Sequence, residues 1–253
     1  MKKGIINWAD EVWQPCSGCS KACTGEGDCF AKGGVHNIDK NSDTPYQQSL
    51  KAQDLYFSRH LLPFRLGKPR RFLVNQDYEL FDAPDKCIQE VFKIMDEAHW
   101  HTFMVVTGDP DRMAKWLNKY YKFYRVPDNI WFGVQVVDST DSYKIELLKK
   151  SRAEKKFILF EPLLGTVKSI SLSLLTGIDW VIAGGEVGVK SNLMHKEEVL
   201  ALLDMCKHKS IPFFFNRWGD IDEHGHKVGY KNAGRLIDGH LYDEVPEDNE
   251  IRF

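Results

Sequence analysis

"KFILFEP" (residues 156–162) is an unbroken apolar run closed by a glutamate, and "DWVIAGG" (179–185) is a second such run closed by glycines. Short, near-continuous apolar runs bounded by turn residues are the pattern of strands buried on both faces. The same pattern recurs in "RFLVN" (71–75), "TFMVVT" (102–107), "NIWFGVQVV" (129–137) and "PFFFNRWG" (212–219). Between the runs lie the helical patterns "PDKCIQEVFKIMDEAHW", "DPDRMAKWLNKYYKF", "DSYKIELLKKSRA" and "HKEEVLALLDMCKHK", with a shorter Leu-rich piece near 168–176. Parallel strands need crossovers of this kind. The reading is an α/β chain: a parallel (β/α) barrel, partial or six-to-seven-stranded.

The whole chain, 1–253, reads as one domain with an N-terminal cysteine loop (13–34) and a small C-terminal extension (220–253). "TPYQQSLKAQDLYFSRHLLPF" carries a Thr cap and a Pro at the first helical position, which predicts a helix over 45–62. A content of 43% hydrophobic and 28% charged residues is ordinary for a globular protein. The formal net charge of −2 supplies no global attraction to nucleic acid, so such contact would fall to a local patch such as Arg65 to Arg71. The N-terminus lacks the apolar run of about 7–15 residues of a signal peptide, and no stretch reaches about 18 apolar residues. The expectation is a cytoplasmic protein with no membrane partner.

In parallel α/β folds, ligands bind at the carboxyl ends of the strands. Those ends carry Asn75 with Asp77, Thr107, Gln135, Glu161, Gly184 with Gly185 and Glu186, and Asn216 with Arg217. Any one of these is an ordinary turn or cap residue, but together they describe a polar rim around one mouth.

Four of the six cysteines fall in the spacing Cys16-x2-Cys19-x3-Cys23-x5-Cys29. A reducing compartment points them to metal or redox chemistry rather than disulfides. Four thiols in one short loop fit a wrapped zinc ion, or three ligands of a [4Fe–4S] cluster whose fourth iron stays open. Cys87 and Cys206 sit inside apolar helical patterns and read as core residues. His195 reads as a helix-start residue, and His224 and His226 as surface residues.

"INWADEVWQPCSGC", "RFLVNQDYELFD", "HTFMVVTGDPDRM", "NIWFGVQVVD", "FILFEPLLG", "IDWVIAGGEVG", "MHKEEVLALLDMC", "IPFFFNRWGD" and "AGRLIDG" occur in this order along the chain. In that order they resemble the phage protein Gp thirty-seven/Gp sixty-eight family. That branch looks like the radical S-adenosylmethionine superfamily and is similar in organisation to spore photoproduct lyase.

The resemblance implies a cluster loop after the first strand, in which Cys19, Cys23 and Cys29 hold the [4Fe–4S] cluster with Phe30 beside it. Cys16 is an additional thiol outside that set. Gly184, Gly185 and Glu186 are similar to the Gly-Gly-Glu signature that holds the methionine amino group of S-adenosylmethionine. Glycines admit close backbone approach, and a carboxylate accepts from an ammonium. Asn75, Gln135, Glu161 and Arg217 are then candidates for cofactor or substrate contacts. The implied activity is generation of a 5′-deoxyadenosyl radical that modifies or repairs a substrate, here a nucleobase or nucleic acid. Implied partners are a one-electron donor of the flavodoxin or ferredoxin type and a partner protein. The competing reading is a zinc-stabilised, non-enzymatic nucleic-acid-associated protein using Arg65 to Arg71 and the aromatics of Trp116 to Tyr124. A third is a barrel enzyme of another kind, with no bound metal.

Overall fold

A computed structural model of the chain describes residues 6–15, 61–76 and 79–246. The four clustered cysteines, Phe30, Asp77 and nearly all of the helix expected over 45–62 lie outside the described residues. The chain divides into two compact units. The first comprises Ala9–Gly108 and Pro127–Ile130, and the second Met1–Trp8, Asp109–Val126 and Trp131–Phe253.

The first unit holds three parallel strands in chain order: β1 (Glu11–Trp13), β2 (Arg71–Val74) and β3 (Thr102–Thr107). Trp13 lies opposite Val74 and Val74 opposite Val105, which fixes the register across the three. A short helix α1 (Leu62–Arg65) precedes β2, and α2 (Asp85–Glu97) makes the crossover to β3. On α2, Cys87, Ile88, Val91, Phe92, Ile94 and Met95 are buried, a spacing that forms one apolar stripe. Phe72 stacks on Phe103 with ring centroids 5.4 Å apart, and Trp13 tilts onto Phe103 at 5.6 Å. Burying a ring of this size contributes about 1.5–3 kcal/mol. The apolar-run criterion did not mark β1, because three residues alternating with a glutamate are too short to show a period. Pairing with β2 makes it a strand.

The second unit carries β4 (Ile130–Gln135, its first residue counted with the first unit), β5 (Lys155–Phe160), β6 (Trp180–Gly184) and β7 (Phe213–Arg217), parallel and again in chain order. Its helices are α3 (Pro110–Tyr120), α4 (Ser142–Lys150) and α5 (Lys196–Lys209). Asp109 caps α3 by accepting from the Arg112 N–H, with Pro110 at the first helical position. In α5, Glu197 and Glu198 occupy the first turn and Lys207, His208 and Lys209 the last, matching the helix dipole. The α/β class with parallel strands in chain order is therefore as expected of a parallel βα array.

One crossover differs from the expectation. The Leu-rich piece near 168–176 forms only a 3₁₀ turn at Leu172–Leu175. The Ser171 side chain accepts from the Ser173 N–H, and Gly177 follows at φ 82, so the backbone turns out of any helix within one turn.

Trp180 is the hub of the second core. Trp8, Trp131 and Phe214 meet it edge-on at 6.4, 6.1 and 5.9 Å, and its indole N–H donates to the Glu244 carbonyl at 2.8 Å. The C-terminal extension is a short helix α6 (Tyr230–Ala233) and a hairpin of β8 (Leu236–Ile237) and β9 (His240–Leu241). Among the described residues, no helix is long and apolar enough to cross a membrane.

Candidate functional site

The strand ends of the second unit are joined by one buried polar cluster. Glu161, directly after β5, is 5% exposed, and Asn216 and Arg217 at the end of β7 are 0% and 4% exposed. Glu161 Oε1 accepts from Arg217 Nη2 at 2.9 Å and Nε at 3.1 Å, and from Asn216 Nδ2 at 2.7 Å. Glu161 Oε2 accepts from the same Asn216 amide at 2.9 Å. Asn7 donates through its backbone N–H and its side-chain amide to Asn216 Oδ1, at 3.1 and 2.9 Å. Gln135, at the end of β4, donates to the Glu161 carbonyl at 2.7 Å. Sequence reading named Gln135, Glu161 and Arg217 as ligand contacts. Gln135 and Arg217 each meet Glu161, the first at its carbonyl and the second at its carboxylate, and Asn216 shares that carboxylate, so these groups tie the strand ends together.

The Gly184-Gly185-Glu186 segment sits beside this cluster, with the Gly185 N–H donating to the Arg217 carbonyl at 2.9 Å. Both glycines are required by neighbours within the chain. A Cβ on Gly184 would lie 2.7 Å from the Glu161 carboxyl carbon, and one on Gly185 would lie 1.9 Å from the Trp218 carbonyl oxygen. Glu186 is partly buried. Its Oε2 accepts from the Asn192 N–H at 2.7 Å and the Asn192 side-chain amide at 2.9 Å. Nearby, Asp220 ties the following loops by accepting from the N–H groups of Gly188 and Tyr230, each at 2.7 Å.

The strand ends of the first unit are different in kind. Asn75, the residue after β2, is 5% exposed and adopts a left-handed backbone with φ 53. Its N–H donates to the Trp13 carbonyl at 2.9 Å, yet among the described residues neither Nδ2 nor Oδ1 of its side chain has a hydrogen-bond partner. Gln14, the residue after β1, also buries Oε1 without a partner among the described residues. A buried polar group left unpaired costs about 1–3 kcal/mol, so two such amides at neighbouring strand ends call for an explanation. Sequence reading found Asn75 by its strand-end position. It missed Gln14, whose only signal is its place just ahead of the cysteine segment.

At the end of β3, Glu79 supplies the missing half of a pair of which sequence reading saw only Thr107. Glu79 Oε2 accepts from Thr107 Oγ1 and from the Gly108 N–H, each at 2.9 Å. Burial pushes its carboxyl above the usual range, against the opposing pull of those donors.

The basic and aromatic stretches are part core and part surface. Arg71 is bonded through its N–H to Asp10 at 2.8 Å and pairs with the same carboxylate at 3.6 Å. In the second unit Trp116 is buried and stacks on Tyr120 at 4.6 Å, whereas Phe123 and Tyr124 are 82% and 74% exposed. Lys122 lies 5.2 Å above the Phe123 ring. Cys87 and Cys206 are buried on α2 and α5, and burial pushes the Cys206 thiol up to about 12. His195, His224 and His226 are exposed.

The sequence pattern of the family described as "Protein of unknown function (DUF5131)" matches residues 3–246. No curated protein and no solved structure matches the chain.

Proposed function

The chain belongs to the DUF5131 family, and from that premise we propose that it is a [4Fe–4S]-dependent radical S-adenosylmethionine enzyme acting on a nucleobase or nucleic acid. The observation that carries this reading is where the cysteine segment starts. β1 ends at Trp13, so the chain enters the cysteines directly from the carboxyl end of a parallel strand, where α/β folds bind ligands. The resemblance to the phage protein Gp thirty-seven/Gp sixty-eight family supports the same assignment.

One described carboxylate suits the group. Glu186 commits Oε2 to Asn192, while Oε1 has no hydrogen bond among the described residues and suits an ammonium. Cys19, Cys23 and Cys29 would hold the cluster, and Glu186 the amino group of S-adenosylmethionine. When bound, the pair supplies one-electron cleavage of a sulfonium and a carbon radical able to take a hydrogen atom from the substrate.

The chain's own part is positioning. Asn192 fixes the Glu186 carboxylate by two N–H donors. The Glu161–Arg217–Asn216 cluster holds β5 and β7 against the glycine pair, so that Glu186 leaves β6 in one direction. Phe123 and Tyr124, exposed beside Lys122, are of the type that stacks on unpaired bases, which supports a nucleic-acid substrate.

Protein purified without oxygen should be brown, absorb broadly near ~400 nm and carry about four irons per chain. With a reductant it should release 5′-deoxyadenosine from S-adenosylmethionine. One zinc and no iron in that preparation would overturn the assignment.

A further inference from the structure

We propose that Asn75 and Gln14 form a binding site for the amino edge of a heterocyclic base, an exocyclic amine beside a ring-nitrogen acceptor, at the carboxyl ends of β1 and β2. Among the described residues, the Asn75 side chain is buried with its donor and its acceptor both unpartnered, and Gln14 buries an unpartnered acceptor. Trp13 and Val74 are register partners, so Gln14 and Asn75 follow on neighbouring strands, which run about 4.7–4.9 Å apart. The Asn75 N–H to the Trp13 carbonyl at 2.9 Å holds the two chain segments together at this point.

What these atoms lack defines what they would take. Asn75 Oδ1 and Gln14 Oε1 each need a donor, and Asn75 Nδ2 needs an acceptor. An exocyclic amine carries two hydrogens and sits beside a ring nitrogen that accepts, and the side-chain amide of Asn meets this edge of adenine with two bonds. A carboxylate or phosphate offers no donor and would set its oxygens against those of Asn75 and Gln14. A base with a carbonyl in place of the amine has a single ring N–H donor on that edge, which serves Asn75 but leaves Gln14 Oε1 without a donor, at a cost of about 1–3 kcal/mol. Adenine and cytosine both present the amino edge, so an adenine-bearing and a cytosine-bearing ligand are the two sources.

The site does not depend on the cluster chemistry, and its test is separate from the iron analysis. The full chain, purified without oxygen, is titrated by calorimetry with adenosine, inosine, cytidine and uridine, and the same series is run on Asn75→Gly. Gly accepts the left-handed backbone and removes the unpartnered amide, so this variant should melt no lower than the parent. The expected result is that adenosine or cytidine binds roughly ten- to a hundredfold tighter than its carbonyl counterpart. Asn75→Gly should lose that preference, with iron per chain unchanged. Preference for adenosine assigns the site to an adenine-bearing ligand, and preference for cytidine assigns it to a cytosine-bearing one. Equal binding of amino and carbonyl nucleosides by the parent, or an unchanged preference in Asn75→Gly, would overturn the proposal.

Discussion

Glu161 and Arg217, 56 positions apart in sequence, meet at 2.9 Å in the interior of the second unit, 5% and 4% exposed. Such a pair costs desolvation on both sides, and its loss on one side leaves a buried charge. Glu161→Ala should therefore lower unfolding free energy by about 3–5 kcal/mol, read from urea denaturation. Replacing both residues with methionine should recover part of that loss, since it removes the buried charge but also the acceptors of the Asn216 amide. A single variant that unfolds like the parent would refute the structural role given to the pair.

The glycine pair makes a sharper test, because a cheap control lies close by. Gly185→Ala puts a methyl 1.9 Å from the Trp218 carbonyl oxygen, so backbone must move, whereas Gly188→Ala meets nothing within 4 Å. The first should express poorly or melt well below the parent. The second should change stability by no more than about 0.5 kcal/mol. Thermal melts of the two variants decide it.

His101 gives the first unit a dependence on pH. Its Nδ1 accepts from the Arg70 N–H at 3.0 Å and its Nε2–H donates to the Pro63 carbonyl at 2.9 Å, which fixes the neutral ring. Burial holds its pKa below the usual 6.5. A histidine depressed in the folded state takes up a proton more readily when unfolded, so its contribution is complete above 6.5 and is lost as pH falls toward the folded value. Denaturation midpoints at several pH values should fall below 6.5 in the parent and be flatter there in His101→Gln. Equal slopes would contradict the neutral-ring geometry.

The extent to which the sequence reveals all this differs between elements. β5, β6 and β7 are visible as apolar runs because both of their faces are buried, and burial on both faces erases polar positions from the sequence. β1 is not visible, since its three residues become a strand only by pairing with β2. Strand-end position picked out Asn75, Gln135, Glu161 and Arg217, but whether such a residue faces a ligand or a neighbour is decided by contacts across tens of residues. Arg217 found Glu161, while the Asn75 side chain found no partner among the described residues. Glu79 was missed because a carboxylate that caps a three-residue turn looks like any surface glutamate.

Ligand assignment within the cysteine segment is open to direct replacement. Cys19→Ala, Cys23→Ala and Cys29→Ala should each abolish the absorbance near ~400 nm and the bound iron, while Cys16→Ala should retain both. Loss of iron in Cys16→Ala would place that thiol among the ligands.

The exposed aromatics can be separated from the core ones. Phe123→Ala combined with Tyr124→Ala should leave the melting temperature unchanged, because both rings are mostly in solvent. The double variant should weaken binding of a single-stranded oligonucleotide by about tenfold or more, since each stacked base contributes about 1–3 kcal/mol. Undiminished binding, read by fluorescence anisotropy, would remove this loop from the nucleic-acid contact.

The crowding at the end of β6 bears on how the chain can change over evolutionary time. Gly185 faces the backbone of Trp218, and Gly219, at φ 94, would in turn drive a side chain to 2.3 Å from the Glu186 carbonyl. Two loops thus lie against each other with no side chain between them, each glycine occupying the space the other leaves. Neither can acquire a side chain while its counterpart loop stays in place. Members of the family should therefore keep or abandon the two positions together, and a chain that has lost one should show a lengthened or rerouted connection at the other.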